Sequence, residues 1–181
     1  NIEIIFHLSA QSSGEISFDD PMNDLSCNVS STLSLCKFMI ENNINKIFYA
    51  SSVCVYGDPN VFPTKETDMR AEKILGFYGI GKLASENYLR LYCENYNINA
   101  ICLRLQTIYG PGQNMSNLRQ GMVSIFMELI MSGQNPVVIH GDLNRFRDLL
   151  HIDDLLEIIL KLLDKDLSGY HILNVGTGKK T

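Results

Sequence analysis

Apolar residues in this chain form short continuous runs, and between them lie longer stretches in which they recur at helical spacing. Ile2-Glu3-Ile4-Ile5-Phe6-His7-Leu8 reads as a buried strand over 2–8, and Ser9 to Asp20 reads as a polar loop. From Pro21 to Asn42 apolar residues recur through Leu25, Val29, Leu33, Cys36, Met39 and Ile40, which predicts a helix that starts near the proline and ends at Asn42-Asn43. Lys46 to Ala50 is a second strand and runs into Ser51-Ser52-Val53-Cys54-Val55-Tyr56-Gly57. A polar loop with Pro59 and Pro63 leads to a helix over 77–95, then to a strand over 99–105 closed by Tyr109-Gly110-Pro111-Gly112. A helix over 119–132, a strand over 136–140, a very apolar helix over 153–164 and a last strand over 170–175 complete the pattern. Asp153 and Asp154 head the penultimate element, where carboxylates suit the positive end of the helix dipole.

Apolar strands alternating with amphipathic helices predict an α/β fold with a doubly wound parallel sheet. In such a sheet ligands bind at the carboxyl ends of the strands. The loops there carry Ser9, Ala10, Ser51, Ser52, Gln106, Thr107, Gly141 and Asp142, small and polar residues that let a ligand approach the backbone. Polar loops are ordinary in any α/β protein, so this pattern alone does not make a site. The organisation expected is a part over 1–110 and a mixed segment over 111–181 that returns one strand to the sheet and is no independent domain.

Composition narrows the function classes. The chain has 181 residues, 45% of them hydrophobic and 19% charged, with net charge −5. Such a balance gives no basic footprint for nucleic acid or an anionic membrane. No apolar run approaches the ~18 residues of a membrane span, and nothing at Asn1 resembles a secretion signal, so a cytoplasmic protein is the expectation. The five cysteines, Cys27, Cys36, Cys54, Cys93 and Cys102, form no C-x-x-C and lie in apolar stretches, which suits reduced, mostly buried thiols rather than metal ligands.

The candidate chemistry centres on Tyr78 and Lys82, four residues apart and so on one face of their helix. A phenol with a pKa of ~10 is a poor base at neutral pH, and an adjacent ammonium stabilises the phenolate and lowers that value. With the Ser52 hydroxyl at a strand end, the pair could handle the proton of a secondary alcohol while a cofactor takes the hydride. Two ordinary residues on a half-exposed helix are the plain alternative.

The setting of the pair resembles the extended short-chain dehydrogenase/reductase family, in its NAD-dependent sugar-nucleotide epimerase/dehydratase branch, of the UDP-glucose 4-epimerase type. The matching stretches, in family order, are His7-Leu8-Ser9-Ala10, Asn28-Val29, Ser51-Ser52 with Val55-Tyr56-Gly57, Tyr78 with Lys82, Leu103-Arg104, Tyr109-Gly110-Pro111-Gly112, Arg147-Asp148, His151-Ile152-Asp153-Asp154 and Asn174-Val175-Gly176-Thr177-Gly178. The resemblance implies a Rossmann-like fold in which Tyr78 is the catalytic base, Lys82 its modulator and a ribose ligand, and Ser52 the hydroxyl that holds the reacting sugar oxygen. It implies that Leu8, Ser9, Ala10, Asn28, Ala50 and Ser51 line the dinucleotide, with Tyr78 and Lys82. Arg147 would meet the substrate diphosphate, Thr107 would stand where the family often has an asparagine for the substrate phosphates, and His140 would face the substrate's base. NAD is the cofactor implied, NADP being left open, the substrate is a nucleotide sugar, and a homodimer through the helices over 21–42 and 77–95 follows from the family.

Two departures shape the expected activity. Val53-Cys54 stand where the dehydratases carry an Asp-Glu pair, which disfavours water elimination. The family's first strand and its G-x-x-G-x-x-G loop, which grips the pyrophosphate, have no counterpart in these residues, so the sheet is expected to lack its first βαβ unit and to end in part of a small substrate domain. The function expected is NAD-dependent epimerisation of a nucleotide sugar at C4 of a UDP-sugar. The alternatives are an NAD(P)-dependent reductase of a keto-sugar nucleotide and a truncated, non-catalytic Rossmann-like module.

Overall fold

The computed structural model of the chain describes residues 2–59, 61–68, 71–138 and 144–181. Among them the strands are β1 (Ile4–His7), β2 (Lys46–Ser52), β3 (Asn99–Leu105), β4 (Thr107–Tyr109), β5 (Leu149–His151) and β6 (Tyr170–Val175). The α-helices are α1 (Ile16–Asp19), α2 (Pro21–Leu25), α3 (Ser31–Glu41), α4 (Phe77–Asn95), α5 (Met122–Met131) and α6 (Ile152–Leu163). The backbone gathers into two units, Asn1–Leu105 with Lys165–Val175 and Gln106–Asp164 with Gly176–Thr181.

The first unit is built on a four-stranded sheet in the order β1-β2-β3-β6, and every pairing in it is parallel. The α/β expectation with a parallel sheet therefore holds. Side chains alternate across the pleat, and Ile5, Ile47, Tyr49, Ala100, Cys102, Tyr170 and Ile172 share one face. Cys36 and Met39 of α3 and Leu89 of α4 close over that face, and together they form a core from which water is excluded. Each fully buried aliphatic side chain of this kind contributes about 1.5–3 kcal/mol of transfer free energy.

In the second unit β4 and β5 pair in parallel, and α6 follows β5 directly. Asp153 and Asp154 occupy its first turn, as the sequence reading places them. No helix among the described residues is long and apolar enough to cross a membrane.

The structure corrects the sequence reading in several places. The loop over 9–20 contains the short helix α1, and the helix over 21–42 is α2 and α3 joined by a π turn, Ser26–Ser30. The predicted strand over 136–140 does not form over 136–138, where Pro136 lacks an N–H for a ladder and Val138 is 55% exposed. Its last two residues, Ile139 and His140, lie outside the described residues, so the placement of His140 toward a substrate base does too. The cysteines are all free, but only Cys36 and Cys102 are buried, and Cys54 is exposed because it sits on the outer side of the 3-10 turn Val53–Tyr56.

His7 ends β1 with a buried ring whose Nε2 lies 3.0 Å from Thr32 Oγ1. The Thr32 hydroxyl proton goes to Asn28 O at 2.8 Å, so Thr32 accepts and the imidazole carries its proton on Nε2. Burial first, and the Lys82 charge second, push the His7 pKa down from 6.5 to about 4. A lowered pKa means that the folded state prefers the neutral ring. The stability this confers is present above pH 6.5 and is lost as pH falls through 4. The shift corresponds to roughly 3 kcal/mol at 1.36 kcal/mol per unit. Thermal melts from pH 7 to pH 4 should therefore fall more steeply for the natural protein than for His7→Gln, whose amide can still donate; parallel slopes would reject the assignment.

Candidate active site

The site residues of the first unit gather where β2 ends and α4 begins. Helix α4 starts after Gly76 in extended backbone, and its buried residues are Tyr78, Gly79, Gly81, Lys82, Ser85, Glu86 and Leu89. Spacings of three and four place them on one stripe. The stripe is small and polar over its first turns and apolar later, so the same helix carries the candidate site residues at one end and joins the core at the other.

Two glycines bring its first turns unusually close to their neighbours. A Cβ at Gly79 would lie 2.7 Å from Cys54 O and 2.8 Å from Ile74 Cγ2, and one at Gly81 would lie 3.3 Å from both Asn28 Cβ and Asp24 Oδ2. The helix thus rests directly on the turn after β2 and on the π turn. A glycine inside a helix costs about 1 kcal/mol relative to alanine, so close packing is what justifies it here.

Lys82, 3% exposed, donates from Nζ to Ala50 O at 2.8 Å, and the ammonium lies 4.9 Å from the Tyr49 ring centroid and 5.7 Å from that of Tyr78. Burial lowers its pKa to about 8, while the carboxylates of Asp24 and Glu86 act in the opposite direction. Tyr78 is 9% exposed. Burial raises its pKa to about 12, Cys54 and Asp24 add to the rise, and the nearby Ser52 hydroxyl lowers it. This corrects the expectation that Lys82 brings the phenol below 10: desolvation dominates. The ammonium faces the ring of Tyr78. Ser52 Oγ accepts from Cys54 N at 3.2 Å.

The other residues proposed for the dinucleotide fall around this centre or along its strand ends. Leu8 and Ser9 are exposed beyond β1 and Ala10 is half-buried. Asn28 is fully buried in the π turn, its carbonyl accepting from Thr32 Oγ1 and from Ser85 Oγ at 2.8 Å each. Local π turns often occur at functional positions. Ser51 is buried and donates its hydroxyl to Glu86 Oε1.

Glu86 opens a network that the sequence reading did not assign. Its carboxylate receives Arg104 Nε at 3.0 Å and Nη2 at 2.7 Å in a fully buried, two-pronged pair. Arg104 Nη1 donates to Tyr56 OH at 2.9 Å and Glu66 O at 3.1 Å, and the Tyr56 hydroxyl donates to Asn174 Oδ1. The end of β2, helix α4, β3 and β6 are joined through polar groups inside the unit. Lys82 and Glu86 stand one turn apart, a spacing that could have flagged the glutamate from sequence.

In the second unit Thr107 begins β4, and its N–H donates to Asp148 O at 3.1 Å. Arg147, the neighbour of Asp148, exchanges backbone hydrogen bonds of 2.8 Å with Thr181 and donates from Nη1 to Phe146 O at 3.0 Å. The two residues proposed for substrate phosphates thus flank one aspartate. The Asp148 carboxylate in turn accepts from the N–H groups of Thr177 at 2.9 Å and Gly178 at 2.8 Å.

The family model described as NAD dependent epimerase/dehydratase family matches residues 1–176. A putative UDP-glucose 4-epimerase of Methanocaldococcus jannaschii is 33% identical over 182 residues, which cover 100% of this chain and 57% of that relative. The solved UDP-glucose 4-epimerase of Thermotoga maritima, with UDP-glucose, aligns at TM-score 0.91 and 33% identity over 99% of this chain and 57% of that one. That of Thermus thermophilus, in complex with NAD, aligns at TM-score 0.84 and 30% identity over 98% and 57%. The chain therefore spans little more than half the length of these relatives.

Proposed function

Because the chain belongs to the NAD dependent epimerase/dehydratase family, we propose that the whole protein epimerises a nucleotide sugar at C4 of a UDP-sugar, with NAD as its cofactor. The observation that carries this reading is the convergence of Ser52, Tyr78 and Lys82 at the end of β2, with the serine hydroxyl near enough to act on the phenol and the ammonium beside the ring. The relatives' printed ligands, UDP-glucose and NAD, support the substrate class and the cofactor.

The residues fit NAD on the chemistry of their donors. An ammonium has three N–H donors and Lys82 uses one on Ala50 O, which leaves donors for ribose hydroxyls. Leu8 and Ser9, exposed beyond β1, leave backbone open for close approach. NAD, when bound, supplies the hydride acceptor and a cationic ring whose charge favours the phenolate. Tyr78 takes the hydroxyl proton of the sugar and returns it, Ser52 holds the reacting oxygen, and Lys82 keeps a positive charge beside the phenol. Thr107 and Arg147 bind the substrate phosphates, the guanidinium offering a planar fork to phosphate oxygens. Val53-Cys54 provide no carboxylates for water elimination, which favours epimerisation over dehydration. Exposed Phe38 and Ile40 of α3, with exposed Tyr88 and Leu91 of α4, support a homodimer through these helices.

The whole protein incubated with NAD and UDP-glucose should form UDP-galactose, read by chromatography of the nucleotide sugars. Denaturation should release bound nucleotide. The absence both of epimer formation from UDP-glucose, UDP-N-acetylglucosamine and UDP-glucuronate and of a thermal shift with NAD would reject the proposal, and consumption of reduced cofactor with a keto-sugar nucleotide would replace it with a reductase.

A further inference from the structure

Four charged side chains are buried among the described residues, Asp24, Lys82, Glu86 and Arg104, and their charges sum to zero. Buried charges persist in folded proteins when they are paired. Arg104 grips Glu86 through two N–H groups at 2.7 Å and 3.0 Å, so that carboxylate is already neutralised by its own cation. Lys82 and Asp24 remain. Asp24, 1% exposed on α2, accepts on Oδ1 from Gln11 Nε2 at 2.8 Å and Asn28 Nδ2 at 3.1 Å, both neutral amides. Its Oδ2 faces α4, reaching the space where Gly81, the residue before Lys82, has no side chain.

We infer that Asp24 is the charge partner of Lys82, a positioning residue that keeps the ammonium protonated beside Tyr78. The inference rests on the role proposed for Tyr78 and Lys82, and it adds a residue to that site. The amides of Gln11 and Asn28 fix one carboxylate oxygen, and the missing Cβ at Gly81 lets the other approach the helix. The groups facing Lys82 are His7 from β1, Asp24 from α2, Tyr49 from β2, and Tyr78 and Glu86 from α4 itself. His7 is held neutral, the tyrosines are neutral, and Glu86 is bound to Arg104, which leaves Asp24 as the uncompensated anion. The effect is reciprocal, since Lys82 opposes the rise that burial imposes on the Asp24 carboxyl.

Carbon-13 NMR of the lysine ε-methylenes in the whole protein, with the Lys82 signal assigned from its loss in Lys82→Met, reads the titration of Lys82 directly. Asp24→Asn should lower the Lys82 midpoint by about one pH unit, the lower end of what one nearby opposite charge produces. A midpoint within about 0.3 unit of the natural protein's, in a folded variant, overturns the inference, because that margin is well below the effect of a nearby charge. If Asp24→Asn does not fold, the Asp24 carboxyl is titrated in Lys82→Met instead. Its midpoint should rise there, and an unchanged midpoint overturns the pairing. Neither readout requires turnover. A shifted Lys82 in a protein that epimerises no sugar rejects the proposed function and keeps the pair, whereas an unshifted Lys82 in an active epimerase does the reverse.

Discussion

Tyr78→Phe should lower kcat for nucleotide-sugar epimerisation by about 10²–10⁴-fold, the range expected when a general acid–base group is removed. KM should move only a few-fold, because the ring and its packing survive. The variant removes one hydroxyl, a change worth about 1 kcal/mol in stability. Melting temperature is therefore a control for the fold and kcat carries the result. The raised pKa of the phenol, about 12, strengthens the point: in the free protein Tyr78 holds its proton, and the proposed base would act only once further positive charge joins that of Lys82. Steady-state kinetics on the whole protein would decide, and a kcat within tenfold of the natural value would remove Tyr78 from the mechanism.

Arg104→Met should destabilise the protein by about 3–5 kcal/mol, since it leaves the Glu86 carboxylate buried without a cation. It also strips donors from Tyr56 OH and from Glu66 O. The exposed pair Arg90–Glu94, at a similar distance of 2.6 Å, sets the contrast, because a surface pair on a helix contributes about 0.3–0.5 kcal/mol. Replacing both partners, Glu86→Leu with Arg104→Met, should recover part of the loss by removing the orphaned charge, while Ser51 still lacks its acceptor. Equilibrium unfolding in urea measures all three variants. Equal losses for Arg104→Met and Arg90→Met would show that the buried network is not what ties these strands to α4.

The large features were legible because their physics is local. Strands such as Ile47-Phe48-Tyr49 and Ile101-Cys102-Leu103 are apolar on both faces, and α4 announces itself through spacing that the structure reproduces from Phe77 to Asn95. The misses have other causes. Strands β4 and β5 have three residues each and exist by pairing with one another, which no window along the chain can show. Val137 and Val138 have strand propensity without a ladder beside them. Spacing along α4 reveals the ammonium near Tyr78 but not the burial of the phenol, and burial is the larger influence on its pKa. Asp24 lies far from Lys82 in sequence, with no motif to join them. Only the folded contact between α2 and α4 does so.

The pair Gly79 and Gly81 has a consequence for anyone who would engineer this protein. Replacing helical glycine with alanine is a routine way to raise thermostability, and at an open position it gains up to about 1 kcal/mol. Here a methyl group at 79 would press into a peptide carbonyl, and one at 81 would push against Asn28 and Asp24. A library that selects for heat resistance alone would be driven toward these substitutions by helix propensity and away from them by crowding. Directed evolution should therefore leave this segment of α4 glycine-rich and seek its gains on the outer face of the helix instead.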